Sequence, residues 1–573
     1  MVRLALFIVV ALAWIAPAFA QSEQAPIIRY DARFNPVIAP NGMVAAQERR
    51  AAAAGAEMLA AGGNAVDAAV ATGFALAVTL PQAGNLGGGG FMLIHLAEEN
   101  RTIAIDYREM APAAAHRDLF LDAAGNVDRN LARFSLLSTG VPGTVAGLVH
   151  ALENYGTMEL EDVIQPAIDM AEDGIAMSYP IAQSLSQRGE RLKRHPASAR
   201  YFFKEDGSAY AGGDLWVQED LAWTLKRIRR KGAEAFYRGR VAERIVAEME
   251  AGGGLITMAD LAAYRPVERE AVRGRYDGYE IIAMPPPSSG GVHVIQMLNV
   301  LEGYDLRRLG HNSAAYLHLL VETMKRAYAD RSEYLGDPDF YPVPVAALTD
   351  KGYAAEIRSA INPGQATPSA EISPAKDLRA EAPNTTHYSV VDAAGNMVSN
   401  TYTLNFSYGN GIAVTGAGFL LNNEMDDFSA KPGVPNAFGL VGGEANAIEA
   451  GKRPLSSMTP VIVLKDGRPW MATGSPGGST IINAVLQMLL NVMEFDMNIA
   501  AATAAPRLHH QWLPDRVFIE PGISPDTVAA LVAIGHQFGR PRILGATQTV
   551  MAGPGVVYGA TDPRRAGGGA EGY

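Results

Sequence analysis

Alanine and valine recur at helical spacing from Gln47 to Leu80, and the run is interrupted once, at Gly62-Gly63-Asn64, so the pattern predicts two helices in tandem. The period then changes. In NLGGGGFMLIHLAEENRTIAIDYREM, four glycines, Gly87 to Gly90, lead into a strand over Phe91 to Leu96. A turn at Glu98 to Asn100 returns a second strand over Thr102 to Tyr107, which leaves Arg108 at a strand end. From about Gly140 to Asp377 the spacing is mixed and mostly helical, punctuated by turn clusters such as MPPPSSGG, Met284 to Gly291. The stretch Asn362 to Asn384, rich in Pro, Ala and Ser, reads as an exposed loop. Strand-like alternation follows it, with one strand over Thr386 to Val391, a turn over Asp392 to Asn396 and a return over Met397 to Leu404. Further on, PVIVLKDGRPWMATGSPGGSTIINAVLQMLLNVM gives two strands joined at Asp466-Gly467, a glycine-rich turn, and a helix from about Thr480 to Met493. Helices before strands, and again after them, predict an α+β fold in which helical layers cover stacked antiparallel sheets. No internal repeat is visible.

At 573 residues the chain is long enough for several domains or for one large layered unit. Hydrophobic residues make up 48% and charged residues 19%, as expected of a globular chain with a sizeable core. The net charge of -12 argues against nucleic acid or anionic lipid as a partner. The first twenty residues, MVRLALFIVVALAWIAPAFA, carry Arg3, an apolar run from Leu4 to Ile15, and Ala18-Phe19-Ala20. Residues 1–20 therefore read as a secretory signal peptide cleaved after Ala20. A retained anchor fits less well, because the run is short for a bilayer and no cysteine is available for lipidation. A soluble protein exported to the periplasm or beyond is expected. With no cysteine anywhere, thiol catalysis and thiolate metal sites are excluded, and the core must hold without disulfides.

Chemistry enters at EAPNTTHYSVVDAAGNMVSNTYTLN, Glu381 to Asn405. The midpoint of positions 385 and 403 falls at 394, inside the turn, so Thr385 and Thr403 face each other across the hairpin unless a bulge intervenes. Threonine is a good strand former and Thr-Thr cross-strand pairs are ordinary, so the pairing alone carries no function. A sharper reading is a nucleophile made by self-cleavage. A threonine at the start of a strand, after a segment able to move away, can attack the carbonyl before it and form an ester that water breaks. It then emerges with a free α-amine that serves as its own base. Thr385 meets both positional requirements.

The strings TTHYSVVD, TYTLN, LLNNEMDDFSAKPGVPN, KRPLSSMTP, TGSPGGS, APRLHHQWLPD and GATDPR occur in order, joined upstream by NLGGGGFML, DYREMAP and STGVPGTVAGL. Together they span nearly the whole chain and closely resemble the γ-glutamyltranspeptidase family of N-terminal nucleophile hydrolases. The resemblance implies a four-layer αββα sandwich built from one autoprocessed precursor. Cleavage between Asn384 and Thr385 would give a large subunit, residues 21–384, and a small catalytic subunit, residues 385–573. The resemblance further implies that Thr385 attacks the γ-carbonyl of glutathione or another γ-glutamyl compound, and that the acyl group passes to water, an amino acid or a peptide.

Thr403 matches the family's helper hydroxyl. Gly477 and Gly478 match its oxyanion hole, and the sequence offers a reason: they let the backbone approach closely and directly precede a helix N-terminus with free N–H groups. Arg108, Ser456 and Ser457 match the site for the glutamyl α-carboxylate, to which a guanidinium presents a planar fork. Asn405, Glu424 and Asp427 match the site for the α-ammonium. The segment Lys431 to Gly451 resembles the lid loop of bacterial relatives, which often carry a tyrosine whose hydroxyl reaches the asparagine matching Asn405. Here Phe438 keeps the ring and lacks the hydroxyl.

His387, His509 and His510 lack third and fourth ligands at regular spacing, so they read as hydrogen-bonded structural histidines, and neither metal nor cofactor is expected. Gly87 to Gly90 lacks the spacing of a phosphate loop and precedes a strand, so no nucleotide is expected. The sequon Asn384-Thr385-Thr386 reads as a chance match. Two other functions compete. A glutaryl or cephalosporin acylase could share the fold, but Arg108, Glu424 and Asp427 would then face an unpaired site. An exported protein that binds glutamyl peptides without chemistry would remain one chain.

Overall fold

The computed structural model describes residues 34–372 and 385–573. The expected signal peptide, residues 1–20, lies outside the described residues, as do Asn384 and the eleven residues before it. The tandem helices form where the alanine pattern places them, α1 over Arg49–Ala60 and α2 over Ala65–Thr79. The break between them has a chemical cause. Gly62 takes φ 97°, and Asn64 accepts the N–H groups of Val66 and Asp67 while the Asp67 carboxylate accepts the Asn64 N–H, a capping box that starts the second helix. Helix α2 is buried along its whole length, as apolar residues on every side require.

Fourteen strands form two seven-stranded sheets in which every pairing is antiparallel. In chain order they are β1 (Val37–Ala39), β2 (Met43–Ala46), β3 (Gly89–Leu96), β4 (Arg101–Tyr107), β5 (Val267–Arg269), β6 (Val272–Tyr276) and β7 (Tyr279–Ala283). These are followed by β8 (Thr385–Val391), β9 (Met397–Thr403), β10 (Val461–Lys465), β11 (Arg468–Gly474), β12 (Gln548–Gly553), β13 (Val556–Thr561) and β14 (Gly569–Gly572). The first sheet runs β1-β13-β12-β11-β10-β7-β6 and the second β14-β2-β8-β9-β3-β4-β5.

Alternation along the second sheet separates its faces. Tyr388 and Val390 of β8, with Met92 and Ile94 of β3, join the apolar cluster that holds α1, α2 and α3 (Thr144–Tyr155). Val391, Phe91 and Leu93 point the other way, into the cluster that holds the first sheet with α4 (Gly290–Leu301), α5 (Ala314–Tyr334) and α6 (Ile481–Met493). The layers are therefore helices, sheet, sheet, helices: an αββα sandwich. Between the sheets, buried hydroxyls find partners across the gap, Ser389 Oγ donating to the Gln548 carbonyl at 3.1 Å and Ser399 Oγ to that of Thr473 at 3.0 Å. Among the described residues no helix is long and apolar enough to cross a membrane.

Candidate active site

The hairpin β8–β9 pairs Thr385 with Thr403 and continues without a bulge to Val391 and Met397. Both threonines share the face of the sheet that carries His387 and Ser389 toward the other sheet. Their Oγ1 atoms lie 3.4 Å apart, the outer limit of a hydrogen bond, and both residues are buried. Thr403 Oγ1 also accepts the Asn405 N–H at 2.8 Å, and Asn405 takes φ 71° as the chain leaves the strand. The upstream glycines explain themselves here. The Thr403 carbonyl accepts Asn85 Nδ2 at 2.9 Å, and a Cβ on Gly88 would stand 2.0 Å from that same carbonyl, so only glycine permits the approach.

Strand β11 ends at Gly474, and a short turn carries the chain to α6. Gly477 takes φ 142° and Gly478 φ 55°, conformations that L side chains resist. Gly478 borders the same cavity as Thr385. Gly477 does not; its carbonyl accepts the Thr480 N–H at 3.1 Å and Thr480 Oγ1 at 2.9 Å, which fixes the turn behind Gly478.

Apart from Gly477, and from Asn384 outside the described residues, every residue to which the resemblance gives a catalytic or substrate-binding role borders this one cavity of about 20 Å³. Arg108 is fully buried and each of its guanidinium nitrogens has an acceptor. Nη1 donates to Glu424 Oε1, Nη2 to Asp427 Oδ2 at 2.5 Å, and Nε to the Pro454 carbonyl at 3.2 Å. Its backbone is held from both sides: Asp106 Oδ1 accepts the N–H at 2.9 Å and the Tyr264 hydroxyl donates to the carbonyl at 2.8 Å. Burial works against the guanidinium charge, yet Glu424, Asp427 and Glu109 together raise its pKa above the ordinary value. The carboxylates respond to burial in the opposite sense. Desolvation pushes Glu424 and Asp427 above the usual carboxylate range against the pull of Arg108.

Two groups at this site escape sequence reasoning. Glu109 follows Arg108 directly, is fully buried, and has one oxygen 3.6 Å from Arg108 Nη1; burial pushes its carboxyl up to about 7. Arg331, on α5, lies buried at the cavity wall and donates from Nη2 to Ser457 Oγ at 3.1 Å. A signal for Arg331 exists in the sequence, because it ends the apolar stripe Leu317, Leu320, Met324, Tyr328, where a solvated arginine does not belong.

The segment that the resemblance reads as a lid reaches the cavity wall. The ring of Phe438 packs edge-on against Phe406, with centroids 5.7 Å apart, and its carbonyl accepts Gln511 Nε2 at 3.0 Å. Phe438 and Leu440 both border the cavity. The three histidines from the sequence are hydrogen-bonded: His387 to Thr401 and Ser389, His509 to Asn483 and Gln511, and His510 to Asp515. His318, Glu322 and His536 gather three ligand-type atoms within 4.8 Å. The two rings, however, are joined by a 2.8 Å hydrogen bond, and Glu322 is taken by Lys325, Arg326 and the Thr367 N–H, so this trio is a hydrogen-bonded network.

The profile of the family described as Gamma-glutamyltranspeptidase matches residues 51–572. A protein of Escherichia coli (strain K12), named Glutathione hydrolase proenzyme, is 53% identical over 550 residues, which cover 95% of this chain and 94% of that protein. Among solved structures, Helicobacter pylori gamma-Glutamyltranspeptidase is 50% identical with a TM-score of 0.56, over 57% of this chain and 93% of that one. A cephalosporin acylase from Bacillus halodurans superposes with a TM-score of 0.83 at 28% identity, over 96% and 98% of the two chains.

Proposed function

The chain belongs to the γ-glutamyltranspeptidase family, and from that premise we propose that it is made as a proenzyme, cleaves itself between Asn384 and Thr385, and then hydrolyses or transfers γ-glutamyl groups, glutathione being the model donor. The observation that carries this reading is the cavity itself. Thr385 borders it together with two arginines, two serines and two carboxylates, largely buried, and that set matches a head bearing both an α-carboxylate and an α-ammonium.

In this reading the Thr385 hydroxyl attacks the γ-carbonyl and gives its proton to the Thr385 α-amine freed by processing, with the Thr403 hydroxyl 3.4 Å away to orient it. The tetrahedral oxyanion takes its N–H donor from the turn whose Gly478 borders the cavity, where losing one donor typically costs about 3 kcal/mol of transition-state stabilisation. Collapse expels the amine, which takes the proton from the Thr385 α-ammonium. Water or an acceptor amine then attacks the ester and returns Thr385 to its starting state. The small catalytic subunit would be residues 385–573 and the large one residues 21–384, in a protein exported to the periplasm or the medium after loss of residues 1–20.

A denaturing gel with N-terminal sequencing tests processing: two bands, the smaller beginning Thr-Thr-His-Tyr, and a single uncut band from Thr385→Ala. Turnover of γ-glutamyl-p-nitroanilide in preference to glutaryl-p-nitroanilide tests the substrate. The reverse preference would make the chain an acylase for donors without the ammonium that Glu424 and Asp427 would meet.

A further inference from the structure

Arg331 is the odd cation of the cavity. It is 5% exposed, its Nε donates to Ser289 Oγ at 2.9 Å and its Nη2 to Ser457 Oγ at 3.1 Å, and among the described residues no carboxylate lies within 4.0 Å of it. Asp427 acts on it only at longer range, and a buried guanidinium with no carboxylate in contact is costly, so a site that keeps one suits an anion. Arg108 is differently placed, since all three of its nitrogens already serve Glu424, Asp427 and the Pro454 carbonyl.

The charges around the cavity lead to the same conclusion. With one proton held by the buried pair Glu109 and Glu424, both raised by burial, Arg108 and Arg331 balance the two remaining negative charges, and the neutral sum suits a zwitterionic head. Without Arg331 the two carboxylates would face a single guanidinium, and an incoming carboxylate would be repelled. The serines add direction. Ser456 Oγ accepts the Met458 N–H at 3.1 Å and Ser457 Oγ accepts Arg331 Nη2, and a hydroxyl that accepts an internal donor keeps its own proton for another acceptor. Both serines therefore offer protons to the cavity, which is what a carboxylate takes.

We propose that Arg331 is a positioning residue for the substrate α-carboxylate: it turns Ser457 into a donor and supplies the second positive charge that lets a carboxylate bind beside Glu424 and Asp427. The proposal rests on the γ-glutamyl reading of the same site, so its test uses ligands that separate the two. In processed enzyme, Arg331→Gln should lower kcat/KM on γ-glutamyl-p-nitroanilide by about tenfold or more, mostly through KM. On 4-aminobutyryl-p-nitroanilide, which keeps the amine and lacks the α-carboxylate, the loss should stay within about threefold. Arg331→Lys, which keeps the charge and loses the fork, should fall between wild type and Arg331→Gln on the first donor only, and it serves as the second variant if Arg331→Gln folds poorly.

Calorimetric titration with L-glutamate and with 4-aminobutyrate repeats the comparison without turnover. Weaker glutamate binding in Arg331→Gln, with 4-aminobutyrate unchanged, supports the proposal even if wild-type enzyme left γ-glutamyl donors intact and so refuted the activity. Equal losses on both donors and both ligands, or no loss on either, would overturn it.

Discussion

Arg108 is the residue whose removal the structure prices most clearly. It is fully buried, bonds to Glu424 and Asp427, and stands 3.6 Å from Glu109, so Arg108→Met leaves three carboxyl groups in a dry site without their shared cation. Breaking a buried ion pair from one side typically costs about 3–5 kcal/mol. A chain of this size unfolds with an entropy of roughly 1.1 kcal/mol/K, so the melting temperature should fall by about 3–5 °C. The deficit should depend on pH with a definite sign. Burial already raises Glu109 to about 7 and Glu424 above its ordinary range, and loss of the guanidinium raises both further. A carboxyl whose folded pKa lies above its unfolded one contributes stability that is present at low pH and is lost as pH rises through the folded value. Arg108→Met should therefore sit closer to wild type at pH 5.5 than at pH 8. Adding Glu424→Gln to Arg108→Met should recover part of the loss, since it removes one unpaired charge. Differential scanning calorimetry of the three proteins at both pH values decides the matter. A melting temperature within about 1 °C of wild type, or a deficit that does not change with pH, would show that the cluster is wetter or looser than its geometry implies.

Two further outcomes are expected. Glu109 faces Arg108, Glu424 and Asp427, and as it ionises near pH 7 the cavity gains a negative charge, so KM for the γ-glutamyl donor should rise above pH 7 in wild type and stay flat in Glu109→Gln; parallel KM profiles would refute the assignment. Phe438→Tyr restores a hydroxyl to the lid over Asn405, and a neutral hydrogen bond worth about 1 kcal/mol should hold the lid closed more of the time and raise transfer to glycylglycine relative to glutamate release; an unchanged or lower ratio would remove that hydroxyl from the control of water access.

Strong local signals made most of the scaffold legible. The helices at Arg49–Ala60 and Ala65–Thr79 carry an uninterrupted apolar period and a capping box, and the hairpin register followed from the position of its turn. The hairpin β6–β7 was passed over inside a region read as mostly helical, although Asp277 at φ 43° and Gly278 at φ 83° form the Asp-Gly turn that marks such hairpins. Its strand VRGRY does alternate, Val272 and Tyr276 buried against exposed Arg273 and Arg275, but the segment is short and Gly274 interrupts its apolar face. At the site, the residues named from the sequence, Gly477 and Asn384 apart, border one cavity, and each sits in a local string. Arg331 and Glu109 were missed for opposite reasons. Arg331 reaches the cavity from a helix in no such string, and Glu109 sits beside Arg108 with nothing in the sequence to say that both would be buried.

The distribution of strands bears on why a chain of this kind can be cut in its middle and still work. Strands on both sides of position 385 contribute to each sheet. In the first sheet β10 to β13 lie between β1 on one edge and β7 and β6 on the other; in the second, β8 and β9 lie between β2 and β3, and β14 closes the edge beside β2. Cleavage ahead of Thr385 would break no ladder, and separating the products would require unzipping both sheets. The position of the cut within β8 is equally telling. That strand pairs with β9 over all seven of its residues, but with β2 only from Tyr388 to Val391. Thr385, Thr386 and His387 therefore extend past the end of β2, paired on one side alone. A new α-amine at Thr385 would emerge where no neighbouring strand crowds it, while the β9 ladder keeps its hydroxyl beside that of Thr403. Removing the preceding segment from this place frees a base without moving the nucleophile, which is what a residue that must serve as both requires.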